Sequence, residues 1–138
     1  MGENEEAVKN DLFGFGEKNV NFAKHFIGTS YINMLVPSEG NIDVSVVNVN
    51  FEPGCRNNWH VHHNGYQILM CTAGEGWYQE EGKPAQLMKP GDVVTIHEGV
   101  KHWHGATKDS WFSHIAITKG TAKWFGPVTD EEYNKLSK

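Results

Sequence analysis

The amino-acid sequence predicts an all-β fold, a barrel or a sandwich, with one short helix near its C-terminal end. Glycine is abundant, with 15 of 138 residues, and valine and aromatic residues are common. No long stretch has the apolar spacing of three and four residues that is typical of an amphipathic helix. Short apolar runs follow one another closely instead, and glycine or proline separates many of them. A chain of this length is expected to form one domain.

Residues 1–30 are predicted to form an N-terminal arm outside the barrel. Phe13, Phe15, Phe22 and Phe26 stand here among polar residues and glycines without a steady periodicity. Exposed aromatic side chains need a covering surface. We therefore expect the arm to pack on its own barrel or on a partner subunit.

Residues 31–126 are predicted to form the barrel. Nine segments in this range have the composition and length of strands. They are 31–36, 43–52, 58–62, 65–73, 76–80, 85–88, 92–97, 101–106 and 111–118.

Residues 127–138 are predicted to contain a terminal helix. Pro127 ends the strand pattern, and Thr129 precedes Glu132 by three residues, which is the spacing of a capping box. We expect a helix over about 130–136.

Charge and composition argue against two kinds of partner. The net charge is −5 and the Lys and Arg residues are scattered, so we expect no nucleic-acid partner, which would need a basic stripe. The acidic start lacks the apolar core of a signal peptide, and no apolar run has membrane-spanning length. We therefore expect a cytoplasmic protein with no membrane partner. Cys55 and Cys71 are expected to be free thiols.

Six of the eight histidines form two clusters, and their spacing predicts a metal site. Residues two apart in a strand point to the same face. His60 and His62 can therefore aim two imidazoles at one point, and so can His102 and His104. His63 has the opposite parity and is expected to face solvent. The second cluster also contains His97.

The spacing of glycines and histidines resembles the two signature motifs of the cupin superfamily. The first runs from Gly54 through the His60–His62 pair to Gly74, and the second runs from Gly91 to His102. The resemblance implies a double-stranded β-helix, a jelly-roll-like barrel with a divalent transition metal in its core. Carried over by position, the implied ligands are His60, His62, Gln67 and His102. Imidazole nitrogens suit Mn, Fe, Co, Ni or Zn.

Three residues depart from the cupin pattern: Gln67 replaces the usual Glu, His97 the usual Pro and Ala106 the usual Asn. Gln67 affects the chemistry, because three neutral imidazoles and a neutral amide leave the charge of the metal uncompensated. Such a metal should be a stronger Lewis acid and should hold anionic ligands better.

A narrower resemblance links the chain to small bacterial cupins that include manganese-dependent hydroxynitrile lyases and carboxymuconolactone decarboxylase-associated proteins. It is carried by residues 101–106 and 113–117 and by the tail at 128–133. It implies a metal-dependent lyase, with manganese preferred, that cleaves a carbon–carbon bond in an anionic or hydroxylated small molecule. His104 or His114 would transfer the proton, although both are also candidates for ordinary hydrogen-bonded interior histidines.

Two other functions fit the same motifs. One is an enzyme that acts on a chelating enolate or diol. It would be either an oxidoreductase, namely a metal-dependent dioxygenase, or an isomerase. The other is a non-catalytic cupin that binds a small metabolite, because the fold hosts many functions. Cupins of this size are commonly homodimers, and the aromatic arm is expected to lie across the partner.

Overall fold

The computed structural model describes residues 2–137, and this part of the chain contains eleven strands, two short helices and one 3-10 turn. The helices are α1 (Glu5–Lys9) and α2 (Asp130–Asn134), and the 3-10 turn spans Ala23–His25. The strands are β1 (Glu17–Lys18), β2 (Phe26–Ile27), β3 (Ser30–Val36), β4 (Ser45–Phe51), β5 (Arg56–Asn57), β6 (His60–Gly74), β7 (Gly76–Glu80), β8 (Gln86–Met88), β9 (Val93–Ile96), β10 (His102–Ala106) and β11 (Phe112–Trp124).

The strands form one antiparallel sheet around a buried apolar core. Its order is β1-β3-β4-β11-β6-β10-β5-β2, with β9 on β6, β7 on β10 and β8 on β7. The core contains the buried side chains of Phe51, Leu69, Cys71, Tyr78, Met88, Ile96 and Phe112. The predicted all-β, jelly-roll-like barrel with its short terminal helix is confirmed. Neither helix of the described chain is long and apolar enough to cross a membrane.

The two strands predicted at 58–62 and 65–73 are one strand, β6, and that prediction was wrong. Strand β11 is also longer than predicted, since it continues to Trp124 and pairs with β6 from Gly74 back to His60. Residues 63–64, which separate the two predicted strands, form a β-bulge within β6. It contains Asn64, which has a φ of 59°.

This bulge reverses the parity of β6. The register passes from Lys119 opposite Tyr66 to Thr121 opposite His63, so β6 contains one residue more than β11 over this step. A β-carbon on Gly65 would lie 2.0 Å from the carbonyl oxygen of Lys119, so the close approach requires glycine here. As a result, the even-numbered His60 and His62 and the odd-numbered Gln67 face the same interior.

The N-terminal arm contains regular structure that its sequence did not indicate: α1, β1, the 3-10 turn and β2. Residues 13–15 lie along β3 and β4. There the side-chain amides of Asn33, Asn48 and Asn50 donate to three successive backbone carbonyls at 2.8, 2.7 and 2.8 Å. The described arm thus packs on its own barrel. The domain boundaries at residues 30 and 126 stay predictions.

Helix α2 begins at the predicted capping box. The Thr129 hydroxyl accepts the backbone N–H of Glu132, and the Glu132 carboxylate accepts the backbone N–H of Thr129. The Tyr133 hydroxyl donates to the carbonyl of Ala106 at 2.6 Å, and the guanidinium of Arg56 lies over the Tyr133 ring. The helix therefore braces β10, which carries His102.

Candidate metal centre and adjoining cavity

Three of the predicted ligands meet inside the barrel. His60 and His62 project from β6 and His102 from β10, and His102 pairs directly with His60 across the two strands. One ligand atom from each ring lies within 4.8 Å of the others. All three side chains are buried. A metal ion at their centre would be held away from bulk solvent.

Backbone hydrogen bonds fix which nitrogen of two imidazoles faces the centre. His60 Nδ1–H donates to the carbonyl of Asn58 at 2.8 Å, and His102 Nδ1–H donates to the carbonyl of Val100 at 2.9 Å. Each bond leaves Nε2 unprotonated and directed inward. Outer hydrogen bonds of this kind are the usual way in which proteins orient histidine ligands.

Gln67 completes the cluster with an amide oxygen. Its Oε1 lies 3.2 Å from Nε2 of His62 and 3.3 Å from Nε2 of His102. Its Nε2 donates to the hydroxyl of Thr118 on β11 at 2.9 Å. The oxygen, not the nitrogen, therefore faces the histidines.

The chemistry of these four groups fits a divalent cation. Burial lowers the pKa of His60 and His62, and it lowers the pKa of His102 to about 4, so the imidazoles are neutral near pH 7. Ring nitrogens of the three histidines and the amide oxygen of Gln67 lie close together, and a cation bound among them would accept their lone pairs. Imidazole and carbonyl donors accept several first-row metals.

A second buried histidine pair adjoins this cluster. His104 on β10 and His114 on β11 are joined by a 3.1 Å contact between His104 Nδ1 and His114 Nε2. The ring of His104 lies 5.7 Å from that of His60, measured between centroids. Burial lowers the pKa of His104 well below its ordinary value and that of His114 to about 3. Both are therefore neutral near pH 7.

Asn57 holds His104 in place, and nothing in the sequence marked it. Its Oδ1 accepts the backbone N–H of His104 at 3.0 Å, and its Nδ2 lies 3.3 and 3.2 Å from the two ring nitrogens. Its side chain is buried. The asparagine belongs to β5, which contains only two residues and was missed for that reason.

His60, His62 and Gln67 of the cluster line one cavity of about 220 Å³ together with the histidine pair, and His102 lies behind them. The polar end of the cavity contains His60, His62, Gln67, His104, His114, Asn57 and Thr118. Most of the remaining wall is apolar, and it contains Phe22, Phe26, Ile32, Met34, Val47, Val49, Ala116, Ala122 and Trp124. The space suits a compact ligand, since pockets for drug-sized molecules are commonly 300–1,000 Å³.

Trp124 is a further site residue that the sequence analysis missed. Its ring lies 4.5 Å from that of His60 and stacks on that of His25 at 4.3 Å. Continuing the period-two pattern of β11 past residue 118 would have placed Trp124 on the interior face. His25 carries no comparable signal. His63 and His97 are exposed and lie outside the cluster.

The Cupin domain family model matches residues 47–118, which is more than half of the chain. The chain belongs to the cupin domain family. This cupin is 43% identical over 117 residues to an (R)-mandelonitrile lyase of Granulicella tundricola, which covers 82% of this chain and 88% of the relative.

Solved structures agree with this assignment. A cupin-like protein from Thermotoga maritima has 46% identity and a TM-score of 0.85, over 91% of this cupin and 96% of that chain. A predicted oxalate decarboxylase from Thermotoga maritima has a TM-score of 0.67 over 76% of this cupin and 91% of that chain. Its 21% identity supports the fold alone.

The family match divides the site into two parts. Residues 47–118 of this cupin include the three histidines of the cluster, Gln67 and the His104–His114 pair. Three aromatic side chains of the cavity wall lie outside that range: Phe22, Phe26 and Trp124.

Proposed function

We propose that this cupin is a metal-dependent lyase that cleaves cyanohydrins into a carbonyl compound and hydrogen cyanide. The observation that carries the proposal is that one cavity is lined both by His60, His62 and Gln67 of the uncharged donor cluster and by a buried histidine pair. The identity to an (R)-mandelonitrile lyase over most of both chains supports it.

His60, His62, His102 and the amide oxygen of Gln67 would hold the metal, and manganese is the metal we expect. A divalent metal bound there would act as a Lewis acid and would lower the pKa of a ligand hydroxyl. Because the four protein donors are neutral, none of them would offset the double positive charge of a bound metal, and all of it would act on that hydroxyl. An anionic or hydroxylated small molecule is therefore the ligand class we propose.

His104 is the proposed base. Its ring centroid lies 5.7 Å from that of His60, so it can meet the hydroxyl of a cyanohydrin bound in the cavity. Burial makes its imidazole a weak base, and a bound metal would offset this by lowering the pKa of that hydroxyl. The O–H electron pair then forms the carbonyl bond, and the pair of the carbon–carbon bond leaves with cyanide. Protonated His104 returns its proton to cyanide, which balances the reaction.

His114 is proposed to stabilise His104 during this proton transfer. Its Nε2 lies 3.1 Å from His104 Nδ1 and can share the charge that His104 acquires. The rings of Phe51 and Phe112 each lie 5.3 Å from that of His114 and exclude water from this side. The pair thus offers a proton route that is separate from bulk solvent.

Cyanide release and oxygen uptake, measured on one metal-loaded sample, test this proposal. We expect cyanide from mandelonitrile, loss of activity on chelation, and no consumption of oxygen when cyanohydrins or diols are added. His97→Ala is the matched control, because His97 is an exposed histidine outside the cluster. Oxygen uptake without cyanide release would favour the dioxygenase, and metabolite binding without turnover would favour a binding module.

We also propose that the protein is a homodimer that buries the outer face of the sheet. Val46 pairs with Val36 on one side and with Ile117 on the other, and Ile117 pairs with Ile68. These four side chains form an apolar row across β3, β4, β11 and β6, and none of them is fully buried. A second copy would cover the row.

A further inference from the structure

One wall of the cavity comes from outside the strands that carry the metal ligands. Phe22 and Phe26 belong to the N-terminal segment at residues 19–27, and Trp124 ends β11. All three line the cavity. Phe22 is 50% exposed and so is Met34, at 53%, so the cavity meets solvent beside these two side chains.

The N-terminal segment is attached directly to the metal site. The backbone N–H of Asn58 donates to the carbonyl of His25 at 2.7 Å, while the carbonyl of Asn58 accepts Nδ1–H of His60. The His25 ring stacks on Trp124, which contacts the ring of His60. Phe26 pairs with Asn57, the residue that holds His104. The aromatic wall is therefore fixed relative to the reacting centre.

The chemistry of the wall limits what it can accept. Among the described residues, none with a formal charge lines the cavity. An ionised substituent held away from the metal would lose its hydration without gaining a partner, which is strongly unfavourable. An aromatic or branched alkyl group would instead bury apolar surface against the wall. The part of the ligand that is remote from the metal must therefore be uncharged and apolar.

We infer that Phe22, Phe26 and Trp124 form a subsite for an aryl or bulky alkyl substituent and make this cupin select aromatic over small aliphatic cyanohydrins. The choice of cyanohydrins rests on the proposed function. The subsite itself rests on the cavity wall, and it applies to any hydroxylated or anionic ligand of the metal. The subsite acts on binding, because its side chains lie on the wall outside the donor cluster and the histidine pair.

The first test compares kcat/KM for mandelonitrile and for acetone cyanohydrin. The wild-type protein should prefer mandelonitrile, and Phe22→Ala should lower that preference about tenfold, mainly by raising KM for the aromatic substrate. Phe22 is half exposed, so the variant should fold. Phe26 packs on the core, so Phe26→Leu is used there, with its melting temperature as a check. Phe13→Ala, an exposed residue of the same arm that does not line the cavity, is the matched control.

The second test does not depend on turnover. Calorimetric titration of the manganese-loaded protein should show benzoate binding at least tenfold tighter than acetate, and Phe22→Ala should remove most of that difference. If neither cyanohydrin is cleaved but benzoate is still preferred, the proposed function fails and the subsite stands. Equal affinities for benzoate and acetate, or a preference unchanged in Phe22→Ala, would overturn the subsite.

Discussion

The hydroxyl oxygen of Thr118 lies 2.9 Å from Nε2 of Gln67 and accepts a hydrogen bond from it. The two residues face each other across β11 and β6. This bond decides which end of the amide faces the histidines, because it engages the NH₂ group and leaves Oε1 beside His62 and His102. Gln67 acts as a neutral oxygen donor only in this orientation.

Removing the hydroxyl of Thr118 should weaken metal binding. In Thr118→Val the amide loses its acceptor and can turn its NH₂ group toward the cluster. Substitutions of residues that orient metal ligands commonly cost about 10–100-fold in metal affinity or activity, and we expect a loss in that range. Competition with a metal-binding dye measures it. Thr118→Ser keeps the hydroxyl and should retain the metal affinity. Weak metal binding by Thr118→Ser would refute the role of the hydrogen bond.

Replacing Gln67 by Glu tests the importance of the missing charge. A carboxylate can still ligate the metal and can accept a hydrogen bond from Thr118, so Gln67→Glu should retain one metal per chain. The added negative charge should weaken the binding of carboxylate inhibitors and slow cyanohydrin cleavage. Inhibition constants for benzoate in the two proteins give the comparison. Equal or tighter inhibition of Gln67→Glu would contradict the account.

Substitution of His104 should separate proton transfer from metal binding. His104→Ala should keep its metal and lose about 10²–10⁴-fold in kcat, the usual contribution of a general base. His114→Gln should lose less, because His114 contacts the reacting centre through His104. Metal analysis and steady-state kinetics on the same preparations provide the test. Full activity of metal-loaded His104→Ala would remove this residue from the mechanism.

Because His114 is buried, we expect the metal-free protein to lose stability at acidic pH. Its folded pKa of about 3 lies below the ordinary value of 6.5, so below pH 6.5 the unfolded chain binds a proton that the folded chain excludes. The contribution of His114 to stability should therefore be constant above pH 6.5 and should fall as the pH drops from there toward 3. This group alone should remove about 1.4 kcal/mol per pH unit.

Urea unfolding of chelator-treated protein at pH 7, 6 and 5 tests this prediction. The free energy of unfolding should fall less steeply with decreasing pH in His114→Gln than in the parent protein. The difference in slope should correspond to about one proton per chain. The exposed His97→Gln should leave the slope unchanged. Identical slopes for His114→Gln and the parent protein would show that His114 carries no such penalty.

The apolar row on the outer face of the sheet predicts the assembly state. A lysine at Ile117 would place a charge within the proposed dimer interface, so Ile117→Lys should be monomeric by sedimentation velocity. Gln86→Lys adds the same charge on the exposed strand β8 and should remain dimeric. The sequence also predicted that the dimer depends on the arm, and on that prediction a protein without residues 1–28 should be monomeric. If it stays dimeric, the arm has no role in association.

The sequence indicated that His60 and His62 would lie together because their spacing is local. His60 and His62 are two residues apart, and in a strand that distance alone directs both to one face. Spacing alone does not place His62 and Gln67 on the same face, because simple alternation directs them to opposite sides of the strand. The bulge at Asn64 and Gly65 shifts the alternation by one residue, so that both side chains face the interior. An Asn-Gly pair in a strand pattern is a recognisable but weak sign of it.

The sequence did not show which side chains enclose the cavity together, because these residues meet only through long-range pairing. Trp124 lies directly opposite His60 at one end of the β11–β6 ladder. Phe22 and Phe26 were expected to need a covering surface, but nothing local indicated that they would help to enclose the cavity. Asn57 belongs to a two-residue strand, which is too short to show a period.

Titration of manganese into metal-free protein, with benzaldehyde release from mandelonitrile as the readout, tests the central claim most directly. Activity should rise in proportion to added metal and level off at one equivalent per chain, and His60→Ala should stay inactive throughout. Activity that is independent of added metal would contradict the account. So would a protein that binds one equivalent and releases no benzaldehyde.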